Sequence, residues 1–383
     1  MNYNQRYSYN YPTNIRFGPG VVDELAPFLK SNNWKSPFIV SDPMMTELGF
    51  FKEIIKGLKS KTLMPHIYTG ISKNPIKSDV LNGVLQYKNI KCDCIIGLGG
   101  GASMDVARAI ALKVNHENDL FEFDDSKGGD KFVTEEIPPF ITIPTTSGTG
   151  SEVGRSTVIA DDKTHMKKVL FSAKLMAIKV FADPLLTMEL PAKITAATGM
   201  DALSHNIEAF VSKGFSPLCD GIAIEAIRMI ATSLDTAVNK PDLESRSKMM
   251  MAALMGATSF QKGLGIIHSM AHPLSTIFDT HHGLANAIML PYGIKFNKNV
   301  AKDKYSFLSG LIGRDKTYSG FINWILELNN SIDMPKSLAE LNYDSEKIPQ
   351  LADIALQDVC HLTNPKQVKR QDFISLYQEA FQC

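Results

Sequence analysis

Four of the nine histidines, His268, His272, His281 and His282, fall within fifteen residues in IHSMAHPLSTIFDTHHG. A lone histidine in a helix is usually a satisfied core or surface residue. Four so close together point to metal coordination or proton transfer. His268 and His272 are four apart and share one face of a helix, and Asp201 and His205 in GMDALSHNIEAF repeat that spacing. One carboxylate and several imidazoles converging from separate helices suit Fe(II), Zn(II) or Mn(II). Spacing alone leaves open which of the four clustered histidines bind. Glu208, one turn beyond His205, reads either as a partner of the ligand set or as a plain surface charge, with the surface reading slightly favoured.

Two glycine-rich turns form the second group. Gly97-Leu98-Gly99-Gly100-Gly101-Ala102 follows the apolar run CDCII and precedes a predicted helix over Ser103–Val114. Glycines at such a turn let backbone amides approach a phosphate, and the helix N-terminus favours its charge. Pro144-Thr145-Thr146-Ser147-Gly148-Thr149-Gly150-Ser151-Glu152 also follows an apolar run and is dense in hydroxyls. No Lys-Ser or Lys-Thr pair follows the glycines, which argues against a Walker loop and phosphoryl transfer. Asp42, ending the apolar run FIVS, suits a ribose diol and would repel a 2′-phosphate, favouring NAD over NADP. It reads equally well as a turn-forming Asp before Pro43.

The elements that must carry these groups follow from periodicity. FIVSD, MPHIYTG, CDCIIGLGGG, PPFITIPTT and AIKVFADP read as buried strands. Between them, stretches such as Val21–Ser31 and Lys77–Lys88 have helical spacing, an alternation that predicts a parallel sheet flanked by helices. After Pro191 the pattern turns helical, over Ile194–Ser212, Leu218–Asn239, Glu244–Gly263 and much of Tyr305–Phe381. The methionines at 249, 250, 251 and 255 read as adaptable core. A boundary between 1–187, an α/β domain, and 188–383, an all-α domain, is expected.

Composition narrows the class. The 383 residues, 44% apolar and 21% charged, are ordinarily globular, and forty basic residues balance forty acidic ones. That balance gives no sign of a nucleic-acid binder. Five scattered cysteines fit no zinc knuckle and read as reduced thiols, with Cys92 and Cys94 facing inward on a strand. The N-terminus lacks the marks of a signal peptide, and no run of about 18 apolar residues exists to span a membrane. A soluble cytoplasmic enzyme is expected.

With these residues assembled, the chain resembles the iron-containing (group III) alcohol dehydrogenase family over essentially its whole length. The resemblance is carried by GLGGGASMD, PTTSGTGSEV, DPLLTMELP, GMDALSHNIEAF and HSMAHPLSTIFDTHHGLANAIMLP. It implies an N-terminal Rossmann-like α/β domain with a parallel sheet and an all-α C-terminal domain, a dehydroquinate synthase-like architecture with the active site in the cleft between. It implies metal ligands at Asp201, His205, His268 and His282, a proton-relay role for His272, and no ligand role for His281. Contacts to NAD are implied for Asp42, Asn74, Gly100, Gly101, Thr145, Thr146, Thr149 and Lys168. The family's usual serine after the glycines is replaced by Ala102, so one hydroxyl contact to the pyrophosphate is lost or shifted to Ser103. Gln261 and Lys262 replace the commoner residues before the ligand helix, which alters the substrate pocket or marks a subfamily.

The activity so implied is reversible hydride transfer between a small primary alcohol or diol and NAD, supported by Fe(II) or Zn(II), in a homodimer or larger homo-oligomer. Two alternatives stand beside it: a non-redox NAD- and metal-dependent lyase on the same scaffold, and a metallohydrolase that ignores nicotinamide. The polar, aromatic segment Tyr3–Gly20 is expected to form an exposed hairpin that pairs subunits.

Overall fold

The computed structural model describes residues 13–382. Apolar runs that end in turns become strands: β1 (Ile15–Phe17), β2 (Pro37–Val40), β3 (His66–Tyr68), β4 (Cys94–Gly99), β5 (Phe140–Pro144), β6 (Ser156–Ala160), β7 (Lys167–Phe171) and β8 (Lys179–Ala182). Six of them form one sheet in the order β1-β8-β5-β4-β2-β3, and every neighbouring pair is parallel. All residues of β2, β4 and β5 are buried, which is why these strands read as unbroken apolar runs rather than as an alternation. Helices α1 (Leu25–Ser31), α2 (Gly49–Ser60), α3 (Lys77–Ile90) and α4 (Gly101–Val114) make the crossovers. Leu25, Leu29, Phe51, Ile55 and Leu58 from α1 and α2 pack on Ile39, Ile96, Leu98, Ile141 and Ile143 of the sheet.

Three strands escape a reading by periodicity. β6 and β7 form a separate antiparallel hairpin, with Val158 opposite Val169. β1 is short and pairs in parallel with β8, Arg16 opposite Phe181. The part of the expected N-terminal hairpin before residue 13 lies outside the described residues.

Helices α5 (Ala192–Val211), α6 (Pro217–Ala231), α7 (Leu234–Asn239), α8 (Leu243–Ser259), α9 (Ile266–Phe278), α10 (His282–Leu311), α11 (Tyr318–Ser331), α12 (Ile348–Gln357) and α13 (Arg370–Gln382) follow. Ser216 caps α6 by accepting from the Cys219 amide at 3.3 Å, with Pro217 at the first helical position. The central helix is α5. It is buried continuously from Thr195 to Val211, with Met200, Leu203 and Ile207 packed among Ile227, Met249, Met270 and Ile288. A polar residue on so enclosed a helix must find partners from other elements, because an unpaired buried charge is expensive. Met249 and Met250 are core, as composition suggested, whereas Met251 and Met255 are half-buried.

The chain divides into two compact units between Glu189 and Leu190. The segment Ser147–Thr149 groups with the helical unit, not with the α/β unit that surrounds it in sequence. Cys92, Cys94, Cys219 and Cys360 are free thiols. Among the described residues no helix is long and apolar enough to cross a membrane.

Candidate functional site

Asp201 and His205 stand one turn apart on α5, His268 lies in the first turn of α9, and His282 opens α10. Each offers one donor atom, and the four atoms lie within 4.8 Å of one another. Asp201 Oδ1 is the hub, at 3.8 Å from His205 Nδ1, 3.8 Å from His268 Nε2 and 3.4 Å from His282 Nε2. The close approach of α10 to α5 depends on Gly283. A Cβ there would stand 2.2 Å from the Ala197 carbonyl oxygen, so any side chain would push His282 away. His281 is the residue before α10, exposed, and outside the donor cluster.

The electrostatics suit a cation. Burial pushes the His205 imidazole down to about 4, so it is neutral at ordinary pH, and its Nδ1 has no hydrogen-bond partner among the described residues. Burial also disfavours charge on His268, but the bond to Glu208 outweighs it and leaves that imidazole raised. One carboxylate and three imidazoles, enclosed and carrying an orphaned ring nitrogen, fit Fe(II), Zn(II) or Mn(II).

Glu208 overturns the surface-charge reading. It is 1% exposed, and its Oε2 accepts from His268 Nδ1 at 2.6 Å while Oε1 accepts from the Ile267 amide at 2.7 Å. One carboxylate thus closes the N-terminus of α9 and keeps the proton of His268 on Nδ1, leaving Nε2 as the donor atom. The i,i+3 step from His205 was visible in sequence, but the partner sixty residues away was not. Asn286 was missed altogether. Its Nδ2 lies 2.8 Å from Asp201 Oδ1, 3.3 Å from His268 Nε2 and 3.2 Å from His282 Nε2. The available signal was its position four residues after His282, the spacing already noted for the 201/205 pair.

His272, one turn along α9 from His268, is not among the four donors. Its Nδ1 pairs at 2.6 Å with Asp358 Oδ2, just after α12. Burial alone would raise the Asp358 carboxyl, but His272 and the surrounding hydrogen bonds hold it well below the usual carboxylate range. Gln261 and Lys262 turn out to be structural. The Lys262 ammonium donates to Asp220 Oδ1 at 2.5 Å and to the Phe210 carbonyl at 2.9 Å, and Gln261 donates to the Thr258 carbonyl. Lys262 therefore neutralises the carbonyl end of α5.

In the α/β unit the carboxyl ends of β2, β4 and β5 lie side by side, where open parallel sheets bind ligands. Asp42 follows β2, and its Oδ1 accepts from the Met45 amide at 3.0 Å, so the turn-forming role is present. Gly99 has φ +148°, and a Cβ there would meet Ser103 Oγ at 2.5 Å, so only glycine fits. Gly100 precedes α4, Gly101 and Ala102 open it, and no side chain caps it. Thr145 and Thr146 follow β5, and the Thr145 amide donates to the Gly99 carbonyl at 3.0 Å.

The hydroxyls of Ser41, Ser103 and Thr145 are buried without a hydrogen-bond partner among the described residues. Orphaned hydroxyls around an uncapped helix start fit the pyrophosphate of a dinucleotide. Asn74 and Lys168 come onto neighbouring segments, because the Ala160 amide donates to the Pro75 carbonyl and Lys168 pairs with Ile159 across the hairpin. Lys168 also lies 3.5 Å from the Asp124 carboxylate. Thr149 sits in the segment that groups with the helical unit.

Known proteins resemble the chain from end to end. A family model described as "Iron-containing alcohol dehydrogenase" matches residues 12–184, and one described as "Fe-containing alcohol dehydrogenase family, C-terminal" matches residues 195–381. The 1,3-propanediol dehydrogenase of Klebsiella pneumoniae is 31% identical over 386 residues, spanning 98% of this chain and 99% of that protein. The NAD-dependent methanol dehydrogenase of Bacillus methanolicus is 32% identical, spanning 95% and 97%. A crystal structure of 1,3-propanediol oxidoreductase matches with a TM-score of 0.94 at 31% identity, covering 98% of this chain and all of that one.

Proposed function

The chain belongs to the iron-containing alcohol dehydrogenase family and is a metal- and nicotinamide-dependent oxidoreductase; from that premise we propose which residues perform the reaction and on what. Asp201, His205, His268 and His282 hold a divalent cation, Fe(II) or Zn(II). The convergence of their donor atoms around Asp201 Oδ1 is the observation that carries this assignment. When bound, the cation supplies Lewis acidity toward the substrate oxygen, and NAD supplies the acceptor for the hydride.

The chain's own residues do the rest. Glu208 keeps the Nε2 lone pair of His268 available, while Gly99, Gly100, Gly101, Ala102, Thr145 and Thr146 receive the pyrophosphate. Asn74, Thr149 and Lys168 contact the remainder of the dinucleotide. Asp42 bonds the adenosine ribose and disfavours a 2′-phosphate, which makes NAD the preferred cofactor. The alcohol loses a hydride from carbon and a proton from oxygen, and His272 takes the proton; the reverse reaction returns both to an aldehyde. The relatives' names point to a short primary alcohol or a diol as the substrate class. The enzyme is further proposed to act in the cytoplasm as a homodimer or larger homo-oligomer, with 1–187 and 188–383 as its domains.

The test is anaerobic reconstitution with Fe(II) or Zn(II), followed by NADH absorbance with NAD and a panel of primary alcohols, diols and hydroxy acids. Metal-dependent NADH formation, abolished together with metal binding in His268→Ala and His282→Ala, is expected. Absence of NAD binding would overturn the cofactor assignment. Loss of metal from a His272 variant would overturn the division of roles among the histidines.

A further inference from the structure

The hydrogen bonds behind His272 form a chain whose direction is set by two backbone amides. The His361 amide donates to Ser269 Oγ at 2.8 Å, so the Ser269 hydroxyl is free to donate onward, to Asp358 Oδ1 at 2.6 Å. The Cys360 amide donates to the same Oδ1 at 2.9 Å. A backbone N–H has no acceptor capacity, so neither anchor can reverse. Asp358 Oδ2 faces His272 Nδ1 at 2.6 Å, and the Cys360 thiol stands beside the same carboxylate.

We propose that Asp358, oriented by Ser269 and the Cys360 amide, is a positioning residue that holds the His272 proton on Nδ1 and so presents Nε2 as the proton acceptor during alcohol oxidation. This rests on the dehydrogenase reading for its consequence, although the tautomer itself is a property of the protein. An ionised carboxylate accepts only, so the nitrogen facing Oδ2 must carry hydrogen. Burial alone would raise the Asp358 carboxyl, but the charge and hydrogen bond of His272, then the bonds from Ser269 and the Cys360 amide, hold it low, so it stands as an ionised acceptor. The arrangement has the logic of an acid–base–orienter triad, in which the carboxylate sets the tautomer and takes no proton itself.

Asp358→Asn is the informative variant because its outcome is dictated by geometry. The Cys360 amide requires an acceptor at the Oδ1 position, so the side-chain oxygen must remain there. The NH2 group is then turned toward His272, Nδ1 must accept, and the ring proton moves to Nε2. The fold and metal site need not change, since the replacement is isosteric and Asp358 lies outside the four-donor cluster.

The experiment is selective 15N-histidine labelling of the zinc-loaded protein, with His272→Gln identifying the resonance, alongside steady-state kinetics and zinc analysis. Wild-type protein should carry the His272 proton on Nδ1, and Asp358→Asn should carry it on Nε2. In that variant kcat/KM for the alcohol should fall about 100-fold or more, the scale of one general base, with zinc still bound. Asp358→Asn/His272→Gln should be no slower than His272→Gln alone, because both act through one group. A wild-type His272 protonated on Nε2 would overturn the proposal, and that spectrum decides the matter even should the variant not fold. Unaltered kcat/KM in a variant whose tautomer has switched would overturn it too. Should no alcohol be oxidised at all, the dehydrogenase reading fails, while the tautomer remains decided by the two spectra.

Discussion

Replacing Glu208 by glutamine should weaken metal binding while leaving all four ligand residues unchanged. The Ile267 amide requires an acceptor at the Oε1 position, 2.7 Å away, so the glutamine oxygen must stay there. Its NH2 group then replaces the oxygen now 2.6 Å from His268 Nδ1, and it can only donate. His268 is forced to the tautomer protonated on Nε2, the atom 3.8 Å from Asp201 Oδ1, and its lone pair is lost to the metal. Loss of such an outer partner typically costs 10–100-fold in metal affinity, or about 1.4–2.7 kcal/mol. Competition titration of Zn(II) against a chromophoric chelator measures this, with circular dichroism confirming the fold. A dissociation constant within about threefold of wild type would refute the reasoning, because it would mean Glu208 sets neither the tautomer nor the ring's orientation.

Three other substitutions address separate parts of the molecule. Gly283→Ala drives a methyl group against the Ala197 carbonyl, so thermal stability should fall by about 1–3 kcal/mol and metal affinity with it; a melting temperature and affinity both unchanged would contradict the close-packing argument. Asp42→Gly should raise kcat/KM with NADP about tenfold by removing a like charge near the 2′-phosphate, and an unaltered NAD/NADP ratio would leave Asp42 only its turn-forming role. Glu152, 1% exposed, has its carboxyl pushed up to about 7, chiefly by burial, with its own backbone amide and Arg108 pulling the other way. Between its ordinary value of 4.5 and about 7 the folded state keeps a proton that the unfolded chain has lost, so stability declines as pH rises through that window. Glu152→Gln should remove that slope and gain about 3 kcal/mol over wild type at pH 8, read from denaturation at several pH values. An identical pH slope in the two proteins would show that Glu152 is not the group responsible.

What the sequence determined by itself is whatever local periodicity and turn chemistry enforce. Helical geometry puts residues four apart on one face, so Asp201 with His205, and His268 with His272, were legible as pairs before any fold was known. The inner strands β2, β4 and β5 were legible because a strand buried on both faces leaves an unbroken apolar run; MPHIYTG read as buried too, but β3 lies at the sheet edge with Ile67 exposed. The glycine turn after β4 was legible because φ +148° at Gly99 excludes other residues. β6 and β7 were not, since Ser156–Ala160 and Lys167–Phe171 mix polar and apolar residues on a hairpin outside the main sheet.

Tertiary structure decided the partners, because cross-helix distances depend on how whole helices pack. Glu208 looked like any helical carboxylate until α9 was laid with its first turn against α5, and only that packing turned it into the acceptor for His268. Asp358 reaches His272 from across eighty-six residues of chain, through a turn whose amides no pattern of residue types announces. Asn286 falls beside three donor atoms because Gly283 lets α10 close on α5. Spacing along one helix named the groups able to bind and react, whereas contacts between helices set which nitrogen of each ring carries the proton.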